Sequence, residues 1–241
     1  MNNENRIGKF TSSQMSRLMA SLKNGTPSSA FYTYVEEKAI ERRMGCTLDT
    51  DIKTRPILWG RLMEMVIFDL LGMSYKMTHK ETKIHPVFPF FAGTPDLEHA
   101  EKAGEIKCYG RKKFGQLAMC LLKKDVALFK ENFKEEYWQT IANAILTEKT
   151  RAEIILYMPY KKELLELLEL VQESNFLERN GLDPNDFYWF RIENIETMSY
   201  LPDDSGFSNI NSFEFEVPEE DVIAIEQRIV LAEKELNLIL N

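Results

Sequence analysis

A chain of 241 residues with 44% hydrophobic content can bury a substantial core and is most simply one domain, residues 1–241. Its 30 Lys and Arg against 38 Asp and Glu give a formal charge of −8, which excludes a uniformly basic nucleic-acid-binding surface and leaves room only for a local one. No apolar run approaches the roughly 20 residues that cross a bilayer, and MNNENRIGKF has no signal-peptide apolar stretch, so a soluble, cytoplasmic protein is expected. Cys46, Cys108 and Cys120 show no C-x-x-C spacing, which argues against a disulfide framework, a zinc site or an iron–sulfur cluster. They read as reduced packing residues.

Residues 11–22 read as a helix with Thr11 or Ser12 available as its cap, followed by a Gly25-Thr26-Pro27-Ser28-Ser29 loop and a second helix over 31–43. Trp59, Leu62, Met63, Val66, Ile67, Leu70 and Leu71 follow helical spacing, with Gly72 as terminator. Strands are predicted over 83–91, 93–97 and 104–108, the first pushed to a sheet edge by Pro86 and Pro89. An amphipathic helix over 137–148 buries Trp138, Ile141, Ala142, Ile145 and Leu146. A strand over 152–158, a helix over 161–172, a Gly181-Leu182-Asp183-Pro184 turn and a strand-like FYWFRIE from Phe187 come next. The chain closes with a strand over 213–217 and a helix over 219–240. This order fits an α/β fold, a central mixed sheet with helices on both sides.

One segment carries chemistry: GTPDLEHAEKAGEIKCYG, Gly93 to Gly110, in which a Pro-Asp precedes Glu-x-Lys by nine residues, Asp to Glu. Side chains alternate along a strand, so Glu105 and Lys107 share one face while Ile106 points into a core, and Asp96 faces them across a short hairpin. Two close carboxylates bind a hard, oxygen-loving cation such as Mg²⁺, and the neighbouring ammonium can orient or help deprotonate a water. Acid-x-Lys alone is not specific here, because Glu36 with Lys38, Asp51 with Lys53 and Glu81 with Lys83 repeat it. None of those follows a Pro-Asp at hairpin distance.

Glu64 lies beside the apolar stripe of its helix, where it can either be solvated or add a third carboxylate. Gln139 lies just off the buried face of its own helix. Arg111, Lys112 and Lys113 directly follow the site, whereas much of the acidity lies in 163–173 and 203–220, so a polarised surface is expected. His79, His85 and His99 form no coherent cluster.

These motifs together resemble the phage lambda exonuclease family, the YqaJ-type viral recombinases, within the PD-(D/E)xK nuclease superfamily. RIGKFTSS resembles that family's Arg-x-Gly-x-x-Thr-x-Ser opening and ILWGRLMEMVIFDLLG its Trp-Gly-x-x-x-Glu helix. GTPDLE and GEIKC resemble its Ser-Pro-Asp and Glu-Leu-Lys-Cys strands, and EYWQTIANAIL its Tyr- and Gln-bearing helix. The resemblance implies that Asp96, Glu105 and the Ile106 carbonyl hold Mg²⁺, for which Mn²⁺ would substitute. Glu64 would support a second metal or its waters, Lys107 would position the attacking water, and Gln139 would help hold that water or the scissile phosphate. Arg6 and Ser13 would grip a terminal 5′-phosphate, and Arg111, Lys112 and Lys113 would contact DNA. It further implies a 5′-to-3′ exonuclease on linear double-stranded DNA, leaving 3′ strands for recombination, with a trimeric assembly and a single-strand-annealing partner, in the host cytoplasm if phage-encoded. Two departures stand out: Lys107-Cys108-Tyr109 where the family commonly continues Lys-Cys-Pro, and Tyr137 two residues before Gln139 where the family often has three. An endonuclease of the same fold, or a DNA-binding protein that has lost catalysis, stays open at this point.

Overall fold

The structure, a computed structural model, describes residues 3–48, 53–78, 81–173 and 175–241; Asp51 and His79 lie outside the described residues. After a 3-10 turn (Asn3–Arg6) the chain forms a short strand, β1 (Phe10–Thr11), a second 3-10 turn (Ser12–Gln14) and only then α1 (Met15–Met19). The helix predicted over 11–22 is therefore shorter. Thr11 pairs in parallel with Ala92, and its N–H donates to the buried Tyr34 hydroxyl at 2.9 Å; it is extended, and it stands at the N-cap of the 3-10 turn without a side-chain capping bond. The helices α2 (Ser29–Met44) and α3 (Arg55–Leu71) follow their apolar spacing. In α3, Leu62, Met63 and Ile67 are fully buried, and Gly72 ends the helix at φ +71°, a backbone region where L side chains are strained.

Strands β2 (Lys76–Met77) and β3 (Lys83–Ile84) come next. The strand predicted over 83–91 breaks after Ile84: Pro86 and Pro89 have no N–H to give a ladder, and His85 Nδ1 accepts the N–H groups of Val87 and Phe88 in a turn. The span 93–97 is likewise split between β4 (Phe91–Gly93) and β5 (Leu97–Glu98), with Asp96 just outside the ladder. β6 (Lys102–Lys107) then runs antiparallel to β5. The chain crosses over through α4 (Arg111–Leu121), α5 (Val126–Asn132) and α6 (Lys134–Leu146) to β7 (Arg151–Tyr157), which lies parallel to β6. A parallel pair requires such a long connection.

The last third contains α7 (Lys161–Glu173), α8 (Phe176–Arg179), a 3-10 turn (Pro184–Phe187), α9 (Tyr188–Ile192), a further 3-10 turn (Ile195–Thr197), β8 (Ile210–Glu216) and α10 (Glu219–Leu240). The strand-like reading from Phe187 is corrected: Phe187 and Phe190, three apart, are buried while Tyr188 and Ile192 are exposed, which is helical spacing.

Two sheets result, β1-β4-β3 and β2-β5-β6-β7-β8. Alternation along the central strand β7 divides the core. Ile154 and Leu156 join residues of α1, α2, α4, α5, α6 and α10 on one face; Ile155 and Tyr157 join residues of α3, α7, α8 and α9 on the other. The expected architecture, a mixed sheet with helices on both faces, is what the chain adopts. None of the described helices is long and apolar enough to cross a membrane.

Candidate active site

The pairing of β5 with β6 sets Leu97 opposite Gly104, which brings Asp96 alongside Glu105. The hairpin is closed by an N–H···O bond of 2.8 Å from Ile106 to Asp96 Oδ2. Alternation does the rest: Ile106 packs among the residues of α3 and α7, while Glu105 and Lys107 turn to the other face and meet at 2.7 Å. Lys107 also donates to Gln139 Oε1 on α6 at 2.9 Å. From α3, Glu64 comes close enough to Glu105 and Asp96 for their charges to act on it. The five residues read from the sequence are thus brought together from the residue just before β5, from β6, and from α3 and α6.

Three carboxylates here face one ammonium. Burial, and then repulsion from Glu105, pushes Glu64 up to about 7. The same causes, with Glu64 added, push Asp96 well above the usual carboxylate range. Burial works against the charge on Lys107, but Glu105 and Asp96 together outweigh it and hold the ammonium above its usual range. Lys107 is therefore a cation that donates, which favours orienting a water over deprotonating it. The neighbouring Cys108 thiol is pushed up by burial and by Glu64 and Asp96, so it stays protonated, as a packing residue would.

Among the described residues no three His, Cys, Asp or Glu side chains are gathered so as to hold a metal ion as they stand. Glu105 has both oxygens engaged, Oε1 by Lys107 and Oε2 by Asn143 Nδ2 at 2.6 Å, and Ile106 enters the site through its N–H. The chemistry of the set nevertheless suits a hard divalent cation. Its donors are all oxygen, and the crowding of negative charge that raises Glu64 and Asp96 is what Mg²⁺ or Mn²⁺ would neutralise.

The other expected contacts divide. Arg6 and Ser13 do meet each other, in a long contact of 3.5 Å. Their segment is pinned from α2, where buried Glu41 accepts the Gly8 N–H at 2.8 Å and Arg42 donates to the Gly8 carbonyl at 2.9 Å. It also abuts β4: a Cβ at Gly93, three residues before Asp96, would lie 2.3 Å from Ser12 Oγ, so only glycine allows this approach. Of the basic run, Arg111 donates to the carbonyls of Tyr200 and Met198 and Lys113 pairs with Glu136 at 2.7 Å, whereas Lys112 is exposed. Two of the three cations expected on DNA are thus engaged by the protein itself.

Sequence reasoning missed three site neighbours. Asn143, 1% exposed, follows Gln139 by one helical turn, and this spacing on a helix with a functional face was the available signal. The other two resolve both departures from the family pattern. Tyr137 points away, donating to Asp221 on α10, while the position three before Gln139 holds Glu136, which accepts the Tyr109 hydroxyl at 2.7 Å. The tyrosine at one departure therefore meets the glutamate at the other.

The sequence matches no established protein-family profile and no curated protein sequence. Solved structures do resemble it. An alkaline exonuclease from Laribacter hongkongensis, LHK-Exo, superposes with a TM-score of 0.63 at 15% identity, over 98% of this chain and 91% of that one. A structure of LHK-Exo in complex with dAMP gives the same TM-score and identity, over 98% and 92%. A phage related exonuclease from Haemophilus somnus 129PT gives 0.61 at 16% identity, over 96% and 95%. The chain has the fold of these exonucleases along nearly its whole length.

Proposed function

We propose that this protein is a metal-dependent 5′-to-3′ exonuclease acting on linear double-stranded DNA. The observation that carries this is the hairpin juxtaposition of Asp96 with Glu105 and Lys107, with Glu64 adding a third carboxylate from α3. Asp96, Glu105 and Glu64, with the Ile106 main-chain oxygen that the family resemblance implies, would hold Mg²⁺ or Mn²⁺. Once bound, the ion supplies charge neutralisation at the transferring phosphoryl group and a more acidic water. Lys107 orients the attacking water with its N–H groups, and Gln139, by accepting from Lys107, keeps the ammonium aimed. Water adds to phosphorus as the P–O bond to the leaving sugar oxygen breaks, with no covalent enzyme intermediate.

Arg6 and Ser13 would take the terminal 5′-phosphate, a guanidinium being suited to two parallel bonds to phosphate oxygens. The dAMP bound by LHK-Exo is the kind of product that such hydrolysis releases. A 3′ single strand would remain for an annealing protein in phage-type recombination, and a trimer around the DNA would give processivity, both by family resemblance.

The test compares Mg²⁺-dependent digestion of a linear 5′-phosphorylated duplex with that of the same DNA as a closed circle, with Lys107→Ala as control. Loss of only the linear DNA, abolished in the variant, is expected. Cutting of the circle would indicate an endonuclease, and no Lys107-dependent cleavage of either would leave a binding protein.

A further inference from the structure

Glu105 is 2% exposed, and its two oxygens are treated differently. Lys107 holds Oε1 at 2.7 Å from within the same strand; Asn143 holds Oε2 at 2.6 Å from α6. Only one orientation of the Asn143 amide is possible, because the reverse would set its oxygen against a carboxylate oxygen. That orientation leaves Asn143 Oδ1 buried with no hydrogen-bond partner among the described residues. A residue kept for packing alone would not bury an unpaired carbonyl, since an apolar side chain of the same shape would be at least as stable. Asn143 is therefore explained by Glu105, not by the core around it.

Its helical position extends this. Gln139 and Asn143 are four residues apart, so their carboxamides lie on one face of α6, one accepting from Lys107 and the other donating to Glu105. Both members of the Glu-x-Lys pair are steered by the same helix. Lys107 is mobile by chemistry, an ammonium on a four-carbon stem, and can leave Oε1 when another cation arrives. The Asn143 donor is on a short, buried side chain and has no competing acceptor among the bonds described above.

We propose that Asn143 is a positioning residue, whose carboxamide holds Oε2 of Glu105 and so presets the carboxylate for the divalent cation that the site would hold. The inference rests on the nuclease reading of the site.

The experiment titrates the metal-free protein with Mn²⁺ by calorimetry, without DNA, in the parent, Asn143→Leu and Asn143→Ala, and records the metal-free Tm of each. Leu keeps the shape while removing both the donor and the unpaired oxygen; Ala covers the case in which Leu does not fit. Loss of a group that orients a metal ligand lowers affinity by about 10- to 100-fold. That fall is expected in both variants, with the metal-free Tm of Asn143→Leu equal to or above the parent's. Unchanged Mn²⁺ affinity in both variants would overturn the proposal while leaving the nuclease reading intact. A loss of affinity accompanied by a matching drop in Tm in both would also overturn it, showing a structural role. If the parent itself binds no Mn²⁺, the metal-dependent reading fails and the proposal with it.

Discussion

The two ends of β6 are both crowded with charge, yet they are built on opposite principles. At its first residue, Lys102 bonds Glu153 at 2.8 Å and Glu214 at 2.7 Å, Arg151 also pairs with Glu214, and the Tyr75 hydroxyl donates to Glu153 at 2.7 Å. Each of those carboxylates has a cation within ion-pair distance there, and Lys102 holds the Glu214 carboxyl below the usual range. At its last residue, Lys107 faces Glu105, Asp96 and Glu64, and the last two carboxyls are pushed up. The same strand thus carries a settled network at one end and a charge surplus at the other. A carboxylate already paired is costly to strip of its cation; a group of buried carboxylates raised by mutual repulsion is a place for a cation to enter.

The largest effect should come from breaking the surplus end. Asp96→Asn and Lys107→Ala are each expected to lower the rate of DNA cleavage by a factor on the order of 10²–10³, read from digestion time courses. Asp96→Asn should not lower the metal-free Tm, because it retains an acceptor for the Ile106 N–H and relieves repulsion. A substantial loss of stability with unchanged cleavage would mean that both ends of β6 are structural.

Breaking the paired end should do the reverse. Lys102→Met leaves buried Glu153 without its cation and is expected to cost about 3 kcal/mol in denaturant unfolding. Because the change lies at the far end of the strand, cleavage per folded molecule should stay within about twofold of the parent.

The two ends should also answer pH with opposite signs. Glu64 has a folded pKa of about 7 against 4.5 ordinarily, so between those values the folded state binds more protons than the unfolded one. Its contribution to metal-free stability is greatest at low pH and is lost as pH rises through about 7, by at most about 3 kcal/mol. Glu214, held below its ordinary value, contributes above that value and loses its contribution on acidification. Mn²⁺ must displace the Glu64 proton, so it should raise Tm clearly at pH 8 and little at pH 5, in thermal melts with and without the ion. An equal rise at both would separate Glu64 from the metal.

Much of this contrast was legible in the sequence. Alternation placed Glu105 with Lys107 and hid Ile106, because a strand's period leaves no other choice. The long apolar spacings of α3 and α10 fixed those helices, and Met63 and Ile67 anchor Glu64 as expected. Less visible were elements whose local preference is overruled. Phe187–Ile192 is rich in aromatic residues that favour strands, and only burial of Phe187 and Phe190 discloses the helix. The helices α4, which begins Arg111-Lys112-Lys113, and α5, only seven residues long, were not expected at all. In the site, the gap lies on α6, where Glu136 and Asn143 are nearly fully buried although polar residues on a helix are usually read as solvated. Their partners, Tyr109 and Glu105, come from β6 and the residues just beyond it, and no local pattern links them to α6.

The smallest expected effect concerns how an end rich in carboxylates tolerates DNA phosphates. Arg111, Lys112 and Lys113 follow β6 at the surplus end, but Arg111 is bound to the carbonyls of Met198 and Tyr200, with its guanidinium over the Tyr200 ring, and Lys113 lies against Glu136 and Tyr109. Lys112 is exposed and lies between these two engaged cations. Lys112→Ala should therefore weaken DNA binding a few-fold and reduce the slope of log affinity against log salt by about one, with Tm unchanged. Arg111→Ala should instead lower Tm and leave the slope alone, since the bonds it loses are to its own chain. Binding measured at several salt concentrations with a catalytically inactive Lys107→Ala background would separate them. If the slope responds to Arg111 and not to Lys112, the guanidinium leaves its carbonyls for phosphate when DNA arrives, and the segment around Met198 and Tyr200 rearranges with it.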